Sequence, residues 1–217
     1  MSKQFYSQCG QDAYLYQTFF NNKTDGFFVE IGAYDGVSLS NSLFFEEQGW
    51  RGMLIEPHPK YFPKILENRP NPNTIKVNVA VGDKDEFTKF LSVSCPTEHT
   101  GMLSGIDKAY DLRHKARIQR EVQMYGGQVD EAIVQVRKTQ NLFDEHDITH
   151  IDYLSLDVEG SEKQVLSGID FNKTFIHVLT VEDNYNDGHI FVDMLKPYFV
   201  YKGNIGHDLL FVNNKAT

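Results

Sequence analysis

The stretch Val29-Glu30-Ile31-Gly32-Ala33-Tyr34-Asp35-Gly36 decides the fold class. Its first residues complete an apolar run that starts at Phe27 and predicts a buried strand. That strand runs directly into Gly32, and Gly36 follows shortly after; glycines let the backbone approach a bound ligand closely. The carboxyl end of a parallel strand is where α/β proteins hold nucleotides. The stretch therefore predicts a ligand site at one edge of a parallel sheet.

The rest of the chain continues this pattern. Short apolar runs alternate with amphipathic stretches, which is typical of α/β proteins with a mainly parallel sheet. Further strands are predicted at residues 52–56, 74–81, 86–91, 132–136, 151–156 and 175–181, with an antiparallel pair at 198–201 and 209–212. Helices are predicted between them, so that both faces of the sheet are covered.

Length and composition exclude several classes of protein. A chain of 217 residues with 41% hydrophobic residues predicts one globular domain over residues 1–217. The formal net charge of -9 argues against a dedicated nucleic-acid partner. No apolar window reaches the roughly 18 residues of a membrane span, and the first residues lack a secretory signal. Cys9 and Cys95 form no disulfide framework, so a cytoplasmic protein is expected.

The acidic residues around the glycine turn decide between ligand classes. The spacing of Gly32 and Gly36 differs from G-x-G-x-x-G, so a loop that binds a pyrophosphate group is poorly supported. Glu30 and Asp35 would repel a phosphate but would suit a ligand that carries an ammonium or sulfonium group. Glu56 follows Gly32 by 24 residues, where a carboxylate can accept hydrogen bonds from two ribose hydroxyls. Together these residues indicate an adenosine-type ligand without phosphate, and S-adenosylmethionine fits.

Acidic residues also follow two later strands. Asp157 and Glu159 come after the strand at 151–156, and paired carboxylates in a cleft can divide the roles of base and metal ligand. Asp183 and Asn184 follow the next strand. With Asp157 they would offer three oxygen ligands, which suit Mg²⁺ or Mn²⁺. The sequence thus predicts Glu159 as the base and Asp157, Asp183 and Asn184 as an optional metal site.

Other interpretations remain open at this point. Each motif could be a plain glycine turn, helix start or Asp-Asn loop. A nicotinamide dehydrogenase would need a phosphate-binding glycine loop and Tyr-x-x-x-Lys on a helix, and the one such spacing, Tyr198 to Lys202, falls in a predicted strand. A non-catalytic binding module, or a methyltransferase that acts on another small molecule or on RNA, are the remaining alternatives.

Four blocks of the sequence resemble the FkbM family of S-adenosylmethionine-dependent methyltransferases. They are residues 6–12, residues 28–36 with 40–42, residues 52–57 and residues 152–162, and in this order the resemblance extends from residue 6 to 213. The first and last blocks are the most specific to the family. The glycine strand and Glu56 are shared with most class I methyltransferases.

The resemblance implies a Rossmann-like sheet of seven mostly parallel strands with the last strand antiparallel. Glu30, Gly32 and Gly36 would line the methionine part of the cofactor, Glu56 would hold the ribose, and residues 80–83 would flank the adenine. The N-terminal segment, residues 1–24, would be helical and fold over the cofactor. The full set of expected cofactor-binding residues is Gln11, Glu30, Gly32, Asp35, Gly36, Asn41, Ser42, Glu56, Pro57, Ala80, Asp83 and Asp157.

The resemblance also implies the reaction. Family members commonly methylate hydroxyl groups, often on sugars or glycosylated metabolites, so a carbohydrate or glycosylated small molecule is the expected acceptor. Some relatives bind a divalent metal, and the resemblance implies Asp157, Asp183 and Asn184 as its ligands, with Glu182 as a substitute ligand. Residues 92–128 would form an insertion on the acceptor side, where basic side chains stand beside aromatic ones: His99, Lys108, Arg113, His114, Lys115, Arg117, Arg120, Tyr110 and Tyr125. The oligomeric state is left open, a dimer included.

Overall fold

The computed structural model describes residues 3–94, 96 and 100–216. Cys95 and His99 lie outside the described residues. The strands are β1 (Phe27–Ile31), β2 (Arg51–Ile55), β3 (Thr74–Val77), β4 (Ala80–Gly82), β5 (Glu86–Ser94), β6 (Gly105–Ile106), β7 (Gln128–Lys138), β8 (His150–Leu156), β9 (Phe175–Glu182), β10 (Phe199–Ile205) and β11 (Asp208–Asn213). The α-helices are α1 (Gln11–Thr18), α2 (Leu43–Glu47), α3 (Phe62–Asn68), α4 (Leu112–Tyr125), α5 (Thr139–Glu145), α6 (Glu162–Ser167) and α7 (Gly188–Leu195).

The main sheet has seven strands in the order β10-β11-β9-β8-β1-β2-β3. The strands from β9 across to β3 are parallel to their neighbours, whereas β11 runs antiparallel to both β9 and β10. This confirms the expected α/β fold with a mostly parallel seven-stranded sheet and an antiparallel last strand. β1 and β8 lie in the middle, and nearly all of their residues are buried, as expected for parallel strands that are covered on both faces.

Two apolar clusters fill the two faces of this sheet. One face packs β-strand residues such as Phe28 and Tyr153 against α1, α2 and α3. The other packs Val29 and Leu154 against α5, α6 and α7. Successive residues of a strand point to opposite faces, so each central strand supplies both clusters. Helices therefore cover both faces of the sheet, as expected.

A second, four-stranded sheet has the order β4-β7-β5-β6. The single strand predicted at 74–81 is wrong: β3 ends at Val77 in the main sheet, and β4 begins at Ala80 in the second one. Between them the Asn78 side chain donates to the Glu56 carbonyl at 2.8 Å. An apolar pattern that continues across Asn78 carries no sign of this change of sheet. Residues 92–128 contain the end of β5, two short 3₁₀ turns, β6 and α4.

The first helix and α3 are both short. In the first 24 residues, the described helix is α1 alone. α3 begins at Phe62, with Pro63 in its first turn, where the missing backbone N–H has no cost. Within the described ranges, none of the helices combines the length and the apolar character that crossing a bilayer would require.

Candidate functional site

A cleft opens at the carboxyl edge of the main sheet, and its two ends differ in character. It encloses about 1080 Å³, its open mouth included. One end is polar and is lined by Gln8, Gln11, Glu30, Asn41, Ser155 and Asp208; the other is mostly apolar and is lined by Val79, Ala80, Val81, Phe90, Met102 and Ile106. Gly32, Glu56, Asp157 and Glu159 also line it.

Gly32 allows β1 and β8 to meet closely at the floor of the cleft. Its φ of +89° is in the left-handed region, and a Cβ there would lie 1.7 Å from the carbonyl oxygen of Asp157. The Gly32 backbone N–H donates to the Ile55 carbonyl at 3.0 Å, which ties the turn to β2 as well. Only glycine fits this position, because both the conformation and the space exclude a side chain.

Glu30 shapes the loop that covers the polar end. Its carboxylate accepts hydrogen bonds from the hydroxyls of Ser40 and Ser42, at 2.9 and 2.6 Å, and from the Asn41 backbone N–H at 2.8 Å. Burial raises the pKa of Glu30, while the nearby Arg69 guanidinium opposes that shift. The Glu30 carboxylate is thus occupied by the protein itself, and it presents Asn41 to the cleft.

Asn41 carries an unmatched acceptor. Its Nδ2 donates to the Ser155 hydroxyl at 2.9 Å, which fixes the orientation of the amide. Its Oδ1 is buried and has no hydrogen-bond donor among the residues that the structure describes. A buried oxygen of this kind carries a desolvation cost unless a ligand supplies a donor. The polar end of the cleft therefore fits a ligand with an N–H or O–H group.

Glu56 stands between the two ends and holds its carboxylate toward the cleft. One oxygen accepts from the Tyr34 backbone N–H at 2.8 Å and the other from the His58 backbone N–H at 2.7 Å. Burial raises the pKa of Glu56 to about 7, against the effect of these two hydrogen bonds, and the charge of Asp157 adds to the rise. Each oxygen keeps lone pairs that vicinal hydroxyl groups could use.

This raised pKa predicts a pH-dependent stability. Glu56 binds its proton more tightly in the folded than in the unfolded chain, where its pKa is about 4.5. Its contribution is therefore present below pH 4.5 and is lost as pH rises through about 7. The shift corresponds to about 3 kcal/mol. Urea unfolding should show that the free energy of unfolding declines between pH 4.5 and 8, and that this decline is smaller by about this amount in Glu56→Gln.

The comparison uses pH slopes, because Glu56→Gln also changes two hydrogen bonds at every pH. Glu67→Gln is the matched control, since Glu67 is exposed on α3 and lies outside the cleft. It should keep the pH slope of the natural chain. Equal slopes in the natural chain and in Glu56→Gln would contradict the prediction.

Three carboxylates gather where β8 and β9 end. Asp157, Glu159 and Glu182 each offer an oxygen atom, and these atoms lie within 4.8 Å of one another. Burial, followed by the charges of neighbouring carboxylates, raises the pKa of Glu159 and of Glu182 well above the usual value. Burial also raises the pKa of Asp157. Like charges this close do not all ionise together near neutral pH.

This grouping differs from the predicted metal set of Asp157, Asp183 and Asn184. β9 extends to Glu182, so Glu182 is the residue that lies beside Asp157. Asp183 instead accepts a hydrogen bond from the Asp187 backbone N–H at 2.8 Å and closes a turn. The Asn184 Nδ2 donates to Glu159 at 3.4 Å. The structure therefore brings Asn184 to the cluster through Glu159.

A second cleft adjoins the first at Glu159. Its wall includes Tyr110, His114 and Tyr185, and its floor includes Glu159, Glu162, Glu182 and Asp183. The rings of Tyr110 and His114 stack with centroids 4.4 Å apart. Glu159 lines both clefts. A group bound in one cleft can therefore meet a group bound in the other beside this carboxylate.

The other expected cofactor residues have different positions. Pro57 and Ala80 line the first cleft. Asp35, Gly36, Ser42 and Asp83 lie outside its lining. Asp35 accepts backbone N–H groups of Val37 and Ser38, and the Gly36 carbonyl accepts from Arg69. Asp83 is exposed after β4.

Sequence reasoning missed several polar residues of the cleft, among them His58, Ser155 and Asp208. Ser155 lies on β8 two residues before Asp157, so the period of two along a strand could have found it. His58 accepts from the Lys60 backbone N–H, and burial lowers its pKa to about 4, so it is neutral. Nothing in the local sequence marks Asp208, since it reaches the cleft through the pairing of β11 with β9.

Three solved structures that match this chain are distant from it in sequence. An FkbM methyltransferase from Methylobacillus flagellatus KT has a TM-score of 0.52 at 13% identity, over 92% of this chain and 47% of that chain. The chain thus spans about half the length of that protein. The METTL16 MTase domain gives 0.49 at 10% identity, over 93% of this chain and 65% of that chain. A fibrillarin/Nop5p complex gives 0.40 at 12% identity, over 88% and 73% respectively.

A search of curated proteins found no significant match. The model of one sequence family does match: it is described as the Methyltransferase FkbM domain and covers residues 30–202. That range runs from Glu30 to beyond the Asp157, Glu159 and Glu182 cluster, and so contains most of both clefts. On this evidence the chain belongs to the FkbM family of methyltransferases.

Proposed function

We propose that this protein transfers the methyl group of S-adenosylmethionine to a hydroxyl group of a sugar, a glycan or a glycosylated small molecule. Methyltransferases of this family use S-adenosylmethionine as the methyl donor. The observation that carries the choice of a hydroxyl acceptor is the position of Glu159, a buried carboxylate that lines both clefts.

The first cleft changes from apolar to polar along its length in the same order as S-adenosylmethionine changes from adenine to methionine tail. The apolar end, with Val79, Ala80 and Phe90, suits the adenine ring. Glu56 would accept hydrogen bonds from the two ribose hydroxyls. The polar end, with the unmatched Asn41 Oδ1, suits the zwitterionic methionine tail. This order brings the sulfonium and its methyl group near Asp157 and Glu159.

Methyl transfer to oxygen is an in-line displacement. The acceptor oxygen must approach the methyl carbon to about 3–3.5 Å on the side opposite the sulfur. A sugar hydroxyl is a weak nucleophile at neutral pH and needs a base. Glu159 would take the hydroxyl proton as the carbon–oxygen bond forms and the carbon–sulfur bond breaks, and its raised pKa makes it a stronger base than an exposed carboxylate.

The second cleft would hold the acceptor. Aromatic rings pack against the apolar faces of a sugar, and carboxylates and amides accept or donate hydrogen bonds to its hydroxyl groups. Tyr110 and Tyr185 provide the first kind of contact, and Asp183 and Asn184 provide the second. Asp157, Glu159 and Glu182 are also hard oxygen donors that would suit Mg²⁺ or Mn²⁺, which would relieve their mutual repulsion.

The test is transfer of a labelled methyl group from S-adenosylmethionine to a panel of monosaccharides, nucleotide sugars and glycans, each with and without a chelator. We expect label in at least one hydroxylated acceptor and in none of a matched panel of deoxy compounds. Loss of transfer with chelator, restored by Mg²⁺ or Mn²⁺, would support a metal at the three carboxylates. A protein that binds the donor and labels no acceptor would favour a binding module instead.

A further inference from the structure

Polar side chains occupy two successive register levels of the main sheet at the polar end of the cleft. In the parallel pairing of β1 and β8, Glu30 lies beside Ser155, and in the antiparallel pairing of β9 and β11, Glu182 lies beside Asp208. Asp208 is therefore a neighbour of the carboxylate cluster on the next strand. Its side chain lines the cleft, and the residue is 8% exposed.

The Asp208 carboxylate is held in place but is not neutralised. The Gln11 Nε2 donates to its Oδ2 at 3.0 Å. Gln11 is oriented for this contact because its own Oε1 accepts from the Cys9 backbone N–H at 2.9 Å. In the described ranges, Gln11 is the one side chain that donates a hydrogen bond to Asp208, and no Lys or Arg forms an ion pair with it. Burial raises the pKa of Asp208.

A second hydrogen-bond acceptor, the Asn41 Oδ1, comes from another part of the chain. Asn41 is 8% exposed and gives its N–H group to Ser155, so its Oδ1 faces the same cleft without a donor. A buried carboxylate and a buried amide oxygen, both short of donors, are costly in an empty site. A primary ammonium group relieves both, because it carries three N–H donors and a positive charge.

We propose that Asp208 and Asn41 form the subsite for the α-ammonium group of the methyl donor, with Gln11 as the residue that positions Asp208. The inference rests on the proposed function, since it takes S-adenosylmethionine as the ligand. It also follows from the order of the cleft, because the polar end lies opposite the apolar end that suits adenine. The α1 segment would thus contribute to donor binding through Gln11.

The experiment combines a variant with a modified ligand. Calorimetry would measure three ligands on the natural chain and on Asp208→Asn: S-adenosylhomocysteine, its analogue with hydrogen in place of the α-amino group, and 5′-methylthioadenosine, which lacks the whole tail. Asn has the shape of Asp and can still accept from Gln11, but it has no charge. Asp193→Asn, an exposed change on α7, is the matched control.

We expect the loss of affinity caused by the variant and the loss caused by the modified ligand not to add. Asp208→Asn should weaken the binding of S-adenosylhomocysteine about 10- to 100-fold, as expected for loss of a charge-assisted hydrogen bond. Removal of the amino group should weaken binding to the natural chain by a similar factor. The two changes together should cost no more than either alone, because they remove the same contact. Methylthioadenosine should bind the natural chain and Asp208→Asn equally, which also reports that the variant is folded.

Two outcomes would overturn the subsite. One is unchanged affinity of Asp208→Asn for S-adenosylhomocysteine. The other is an equal loss for S-adenosylhomocysteine and methylthioadenosine, which would make Asp208 a structural residue. Failure of the proposed function has a different signature, because the natural chain would then bind neither S-adenosylhomocysteine nor methylthioadenosine.

Discussion

Glu159→Gln is expected to lower turnover by about 10²- to 10⁴-fold, the range for loss of a general base, while affinity for S-adenosylmethionine changes little. The amide of Gln cannot take the acceptor proton. Donor affinity should persist because the residues proposed to hold the adenine, the ribose and the methionine tail, such as Val79, Glu56 and Asn41, are unchanged. Single-turnover transfer of labelled methyl and calorimetry with the donor measure the two quantities separately.

The matched variant is Glu182→Gln. It removes a carboxylate from the same cluster, but Glu182 is absent from the lining of the first cleft. If Glu159 is the base, Glu159→Gln should be impaired much more than Glu182→Gln. Equal losses would show that the cluster acts through its summed charge or through a bound metal. Turnover that survives Glu159→Gln would assign the base to another group.

The pH profile of turnover adds an independent readout. Glu159 acts as a base only when it is ionised, and burial together with the charge of Asp157 raises its pKa. Turnover of the natural chain should therefore rise with pH through that raised pKa. The residual turnover of Glu159→Gln should lack this rise.

The sequence predicted those site residues whose chemical type and position at the end of a strand can both be recognised from the neighbouring residues. Glu56 and Asp157 each follow directly after an apolar strand, and the parallel sheet brings such positions to one edge. The fold class follows from the same alternation of apolar runs and amphipathic stretches. These signals need no knowledge of how the strands pair.

The parts that were missed, or given only a secondary place as Glu182 was, depend on strand pairing. The predicted strand at 175–181 stops one residue before β9 does, and this one residue decides which acid faces Asp157. Side chains alternate between faces, so extending the strand to Glu182 leaves Asp183 in the turn that follows. Asp208 meets Gln11 across 197 positions of sequence, a contact that no local pattern contains.

Gly32→Ala is expected to have the largest effect on stability. The new Cβ would lie 1.7 Å from the Asp157 carbonyl oxygen, and that backbone cannot move freely, because the Asp157 N–H donates to the Ile31 carbonyl at 3.0 Å. The φ of +89° adds strain for any residue other than glycine. Overpacking and backbone strain each cost about 1–3 kcal/mol, so the free energy of unfolding should fall by about 4 kcal/mol.

Gly126→Ala separates the two causes. Gly126 ends α4 with a φ of +72°, but a Cβ at that position would meet no atom within 4 Å. Gly126→Ala therefore carries the backbone strain without the steric overlap, and its free energy of unfolding should fall by only about 1–2 kcal/mol. Urea unfolding of both variants measures the difference, and a similar loss in each would mean that β1 and β8 can separate at Gly32. Where Gly32→Ala remains folded, the displaced Asp157 backbone should also weaken donor binding, whereas Gly126→Ala should bind the donor normally because Gly126 lies outside both clefts.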